Sequence, residues 1–256
     1  MKRAATIFIV LATALGSFAG LAVAETLVGT DADDRLRGSD TPDQLYGEAG
    51  ADELTGLGQN DYLEGGPGND MVDGGPGDDL GIGGTGDDKL TGGSGRDVVY
   101  AGAGNDELLG ENGSDVLFGQ AGDDRVFGGA GRDRIYTGVG TDFADGGSGR
   151  DLVVSDSDST TPSDLRGGDG DDVIMGAGPG TFMIDGGSGD DRVTTGRGSD
   201  SVVGGGGNDR IATGAGDDQI DVSDGRRDVV RCGPGRDSVV ADRRDLLVGC
   251  ETRSLP

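Results

Sequence analysis

Aspartate is the side chain in this sequence whose type and spacing could do chemistry. Asp34, Asp43, Asp52, Asp61, Asp70, Asp79, Asp88, Asp97, Asp106, Asp115, Asp124, Asp133, Asp142 and Asp151 stand nine residues apart without a gap. Carboxylates at a fixed spacing can work as an acid–base pair or as oxygen ligands for a cation. A glycosidase-type pair needs a shaped cleft and unequal surroundings to separate two pKa values. Carboxylates that repeat identically along a chain have neither, so cation binding is the stronger reading. Zinc and copper sites normally draw on His or thiolate, and the chain has no His and only two Cys, both outside the regular repeats. Calcium is a hard ion that takes about six to eight oxygens from carboxylates and backbone carbonyls, whereas magnesium demands octahedral geometry and keeps its waters. Multiple Ca²⁺ ions are therefore the expected cofactor. The glycine-rich loops are not phosphate cradles, since no Lys or helix start follows them and the acids would repel phosphate.

The aspartates belong to a nine-residue frame. From 29 to 154 the chain divides into fourteen consecutive frames of the form G-G-x-G-x-D-x-U-x, with U a large aliphatic residue. The frame Gly65-Gly66-Pro67-Gly68-Asn69-Asp70-Met71-Val72-Asp73 is typical. The register breaks at 155–166 and resumes at 167–175. A ten-residue step at 176–185 places Thr181 where Asp is expected, and the frames then run on through another ten-residue step at 222–231. Disordered Gly/Asp tracts show no such register, and a fixed period signals a repeat architecture.

The first six residues of each frame are turn material, because glycine supplies the positive-φ geometry of a tight turn. The last three carry one central aliphatic residue, as a very short strand does, and its side chain points inward. Two frames close one coil of 18 residues, and successive coils stack as parallel strands. The predicted fold is all-β, a parallel β-roll of about eleven coils with a thin aliphatic column between two sheets. Gly81 and Ala144 leave that column underfilled. One aliphatic residue in nine cannot offset the ordering of the other eight at roughly 1–2 kcal/mol each, so the array is expected to need a cation in its turns. Partners on one edge lie 18 residues apart, as Asp70 and Asp88 do.

These frames resemble the RTX family, whose nonapeptide G-G-x-G-x-D-x-U-x makes a calcium-binding parallel β-roll. The resemblance covers essentially all of 29–240. It implies that glycine-loop carbonyls and aspartates hold one ion between neighbouring turns. The ligands would be Asp70, Asp79, Asp88, Asp97, Asp106, Asp115, Asp124, Asp133 and Asp151 in the first block, and Asp172, Asp191, Asp200, Asp209 and Asp218 in the second. The frames 29–37, 38–46 and 56–64 lack glycine at the fourth position and fit a capping coil better than an ion site. Family members exported in one step carry a C-terminal signal and usually an enzyme or toxin domain. Here an N-terminal signal and repeats alone are read.

Residues 1–24 read as a secretory signal peptide: Lys2 and Arg3, an apolar run, then Ala22-Val23-Ala24 as the cleavage site. An uncleaved membrane anchor is the competing reading, less favoured because the run is short. Residues 25–256 form one domain, with a regular block (29–154), a loop insertion (155–166) and a second block with a cap (167–249). The charge is −27, which argues against nucleic acid or an anionic membrane as partner. Cys232 and Cys250 lie one coil apart, so their Cα atoms should stack about 4.8 Å apart, inside the range of about 4.4–6.8 Å that a disulfide accepts. A disulfide stapling the last coil is set against two free buried thiols. The fifth-position acids Asp78, Asp87, Asp123, Asp171, Asp190 and Asp217 read as a solvated edge rather than as outer calcium groups. Tyr46, Tyr62, Tyr100 and Tyr136 mostly close frames and read as scattered surface aromatics, with sugar contact as the alternative. The chain is expected to be a secreted calcium-binding repeat protein without enzymatic activity. The alternatives are an extracellular adhesive or matrix component that binds polysaccharide or the cell surface, and an accessory module of a polysaccharide-modifying enzyme.

Overall fold

The computed structural model describes residues 24–255, so most of the segment read as a signal peptide lies outside the described residues. Within them the chain is a parallel β-solenoid. Each strand pairs with the second one after it, giving two sheets of 13 strands that alternate along the sequence. The first sheet starts at Thr26–Val28 and the second at Arg35–Arg37. The register is one coil throughout: Leu45 opposes Leu63, and Leu108 opposes Val126. There are thirteen coils rather than eleven, because Thr26–Val28 and Thr252–Ser254 add a strand at each end and the segment 155–166, expected to be a loop insertion, supplies the start of a further strand, Ser163–Asp169, that pairs in register.

Strands near both ends are three residues long, as the frame predicts. In the middle they reach six or seven, as in Tyr62–Pro67 and Lys89–Gly95. The extra length comes from the turns, where pairing continues through Gly66↔Gly84 and Pro67↔Thr85. Glycine permits this. At Gly84 φ is +123°, and a side chain there would collide with the carbonyl of Gly66 in the coil before. The core is a single column with a residue from each frame, including Leu54, Leu63, Leu117, Ile135 and Leu165, all fully buried. Gly81 is a gap in this column, where an added Cβ would stand 3.7 Å from Val72 and 3.9 Å from Leu90 in ordinary contact.

The two outer faces differ. On the first sheet, from Leu80–Thr85 to Val173–Gly176, one outward column reads Leu80, Val98, Val116, Arg134, Leu152, Val173. The column beside it reads Ile82, Tyr100, Phe118, Tyr136, Val154, Met175. Arg134 is the one charged residue among the twelve. Across the same coils the second sheet reads Lys89, Glu107, Arg125, Phe143 and Asp164 in one column and Thr91, Leu109, Phe127, Asp145 and Arg166 in the other, seven polar or charged residues of ten. The tyrosines are not scattered: Tyr100, Phe118 and Tyr136 stack at 4.6 and 5.0 Å with nearly parallel planes.

Candidate metal centre

Sixth-position aspartates form two rows, one on each edge of the roll. The turns leaving the first sheet make the first edge, and those returning to it make the second. In every regular turn the backbone N–H of one aspartate donates to Oδ1 of the aspartate one coil later: Asp70 to Asp88 at 2.8 Å, Asp79 to Asp97 at 2.8 Å, Asp115 to Asp133 at 2.8 Å. The second-edge row is unbroken from Asp43 through Asp61, Asp79, Asp97, Asp115, Asp133, Asp151, Asp172, Asp191, Asp209 and Asp228 to Asp245. The first-edge row holds Asp34, Asp52, Asp70, Asp88, Asp106, Asp124 and Asp142, then resumes with Asp200, Asp218 and Asp237.

The gap on the first edge is two turns wide. Ser163 takes the slot after Asp142 and accepts its N–H at 3.0 Å. Phe182 takes the next slot, donates to Oδ1 of Asp200 at 2.9 Å, and is fully buried. Thus Phe182, not Thr181, replaces the aspartate. The ten-residue step shifts the register by one, and the Thr181 hydroxyl instead donates to the carbonyl of Thr160 at 3.0 Å. The Phe182 ring fills the turn so closely that a side chain on Gly176 would strike it.

The second oxygen of each interior aspartate is idle. Among the described residues, Oδ2 of all fourteen expected ligands is buried without a hydrogen-bond partner, and so is Oδ2 of Asp52, Asp61, Asp142, Asp228 and Asp237. In many turns Oδ2 converges with a backbone carbonyl on the space a glycine side chain would occupy, while Asp106, Asp142, Asp200 and Asp218 face Ala101, Thr137, Thr195 and Thr213 instead. A Cβ on Gly74 would lie 2.6 Å from Asp79 Oδ2 and 2.7 Å from the Gly92 carbonyl. On Gly47 it would lie 2.5 Å from both Asp52 Oδ2 and the Gly65 carbonyl. Carboxylate and carbonyl oxygens facing one buried cradle form a hard donor set that suits calcium. No group of three acidic, Cys or His side chains converges among the described residues, so carbonyls must supply much of any ion's shell.

The end turns are built otherwise. Oδ2 of Asp34 accepts both the N–H (2.6 Å) and the hydroxyl (2.8 Å) of Thr30, and Ser39 does the same for Asp43. At the far end Asp245 Oδ2 accepts the N–H of Asp242 at 2.6 Å, and Glu251 accepts the N–H of Asp237 at 2.9 Å. These carboxylates are closed. The frames at 29 and 38 therefore fit the capping role expected of them, but the frame at 56 does not. Leu57 and Gln59 adopt φ of +85° and +71°, the geometry glycine would give, and Asp61 keeps an open oxygen. Asp52, Asp61, Asp142, Asp228 and Asp237 share the open oxygen although their frames put them outside the ligand set that the resemblance implies. The nine-residue ruler itself pointed to the first three.

Burial dominates the electrostatics. It pushes Asp79, Asp88, Asp115, Asp124 and Asp151 up to about 7 and Asp191 to about 8, and neighbouring aspartates of the row add to the effect. The N–H received from the coil before pulls the other way. The fifth-position acids have a different use. Asp87 Oδ1 accepts the N–H of Asn105, Asp123 that of Thr141, Asp171 that of Asp190 and Asp217 that of Arg236, each at 2.8–2.9 Å. Asp78 and Asp190 do likewise for Arg96 and Asn208. They make a second ladder that braces consecutive turns, in place of the merely solvated edge expected. Beyond the rows, Cys232 and Cys250 are bonded, with Cα atoms 5.1 Å apart.

The family model for the RTX calcium-binding nonapeptide repeat matches residues 28–63, 46–81, 82–117, 118–153, 164–178 and 185–221, well over half of the chain. No curated protein matches the chain. No enzyme family is matched.

Proposed function

The chain belongs to the RTX calcium-binding nonapeptide-repeat family, and from that premise we propose that it is an exported rod whose turns take up calcium as a condition of folding and which catalyses nothing itself. The observation that carries this is the rows of buried aspartates with one oxygen bonded and one idle. A buried carboxylate without a counter-charge is strongly disfavoured, and a divalent ion between two turns removes the cost for both. The ions would sit between Asp70 and Asp88, Asp88 and Asp106, and Asp106 and Asp124 on the first edge, with Asp200 and Asp218 beyond the gap. On the second edge they would follow Asp79, Asp97, Asp115, Asp133, Asp151, Asp172, Asp191 and Asp209. Export is supported by the N-terminal pattern and by the disulfide, which persists in oxidising compartments. Extracellular calcium modules work at about 10⁻⁴–10⁻³ M, so the roll would set on leaving the low-calcium cytosol.

The test is far-UV circular dichroism of the purified protein after EDTA, titrated with CaCl₂ and separately with MgCl₂. A cooperative rise of β signal near millimolar calcium, absent with magnesium, is expected. A full β signal already present in EDTA would sink the proposal.

A further inference from the structure

We propose that Thr137, Thr195 and Thr213 set apart a second, weaker class of calcium site on the first edge, at Asp142, Asp200 and Asp218, which fills only after the glycine turns have folded the roll. The inference rests on the calcium-folded roll proposed above and divides its sites. The residue that opens each turn faces the aspartate of that turn. On the second edge it is glycine in ten successive turns, from Gly38 to Gly204, and an added Cβ there would lie 2.3–2.8 Å from Oδ2. The first edge keeps glycine or alanine as far as Gly119. From 137 onward its character changes. Thr137, Ser155, Thr195, Thr213 and Cys232 open the turns, and the one glycine among them, Gly176, faces the Phe182 ring.

The three threonines bring a competing oxygen into their turns. Thr137, Thr195 and Thr213 are buried, and each hydroxyl lacks a hydrogen-bond partner, as does Oδ2 of the aspartate in the same turn. The hydroxyls of Thr137 and Thr195 stand close enough to the carboxyls of Asp142 and Asp200 to work against the effect of burial. The capping turns show what a hydroxyl does in such a setting. There Thr30 and Ser39 each donate to Oδ2 through both O–H and N–H, and the carboxylate is closed. A threonine at the head of a turn offers its O–H alone. Three grades of aspartate follow: closed by two donors, guarded by one, and open. An ion entering a guarded turn must displace the hydroxyl from the oxygen it needs, and the threonine Cβ takes up room that the glycine turns leave free. A hydrogen bond to a charged group is worth about tenfold in affinity. Folding does not wait for these turns, because the second-edge row runs past all three of them without a break.

Equilibrium dialysis against radiolabelled calcium from about 0.01 to about 20 mM brackets both classes, since extracellular modules work at about 10⁻⁴–10⁻³ M. The expected isotherm has two phases, with the β signal complete within the first. One ion for each threonine turn binds in the second, at about tenfold higher calcium. Thr137→Gly with Thr195→Gly and Thr213→Gly should move those ions into the tight phase. Serine at the same three positions keeps the hydroxyl and should leave two phases. Asp142→Asn with Asp200→Asn and Asp218→Asn should remove the weak phase and leave the calcium midpoint of folding unchanged, whereas Asp133→Asn on the second edge shifts it. These asparagines keep an oxygen for the N–H groups of Asp124, Phe182 and Asp200, so they test the proposal even if the threonine variants fail to fold. A single phase, a glycine variant that binds like the parent, or an Asn variant whose midpoint moves as far as that of Asp133→Asn overturns the proposal. Circular dichroism on the same samples separates the two claims. A calcium-folded roll with one binding phase refutes only the second class, whereas a β signal indifferent to EDTA refutes the folding reading.

Discussion

An aspartate bonded through one oxygen and idle at the other gives each position a distinct expected response to substitution. Asp133→Asn keeps an oxygen to accept the N–H of Asp115 but loses the charge. It should remove about one calcium ion by equilibrium dialysis and shift the folding midpoint to higher calcium. Asp245→Asn should leave the ion count unchanged, because both oxygens are already engaged by N–H groups. Glycines divide in the same way. Gly81 has room for a methyl group at ordinary contact and no positive φ, so Gly81→Ala should stabilise the calcium-bound roll by about 0.5–1 kcal/mol in thermal melts. Gly75 sits at φ +94° against the carbonyl of Leu57, and Gly75→Ala should destabilise by more than about 1–2 kcal/mol.

At the scale of the element, the coil was legible in the sequence because its period is so strict. Glycine positions gave the turns, the eighth position gave the core column, and the 18-residue repeat gave the pairing of Cys232 with Cys250. Three things were not legible. The ten-residue steps hide a choice of which residue is extruded, and only packing shows that Phe182, rather than Thr181, enters the aspartate slot. The closure of Asp34 and Asp43 depends on hydroxyl rotamers of Thr30 and Ser39, and the motif does not encode these. The outward residues are free to vary as far as the motif is concerned, so the apolar face becomes visible only when coils are laid in register. The disulfide acts at this scale too. It closes a loop of 18 residues, and a loop of that size is worth about 3 kcal/mol on the chain-entropy account. Cys232→Ser with Cys250→Ser should lower the melting temperature in calcium without changing the number of ions bound.

For the whole molecule, the aspartate rows make stability depend on pH in a direction unusual for carboxylates. Burial holds many of them near 6 to 8 in the folded roll, against about 3.9 in an unfolded chain. The calcium-free folded state therefore binds more protons than the unfolded state across that window, and stability falls as pH rises through it. In EDTA the β signal should be stronger at pH 5 than at pH 8. Calcium competes with the same protons, so its apparent affinity should be lower at pH 5.5 than at pH 7.5. Equal β signal in EDTA at pH 5 and 8 would show that the carboxylates titrate as if exposed.

The aspartate ladder also has a direction. The N–H of Asp70 is satisfied by Asp88, and that of Asp88 by Asp106, so each turn depends on a side chain that lies downstream. A roll that ended after Asp70 and before Asp88 would carry an unmet donor at its last coil. The stack is thus polar, with each coil completing the one before. Asp245 and Glu251 serve as terminators, without which Asp228 and Asp237 would wait for a coil that never arrives.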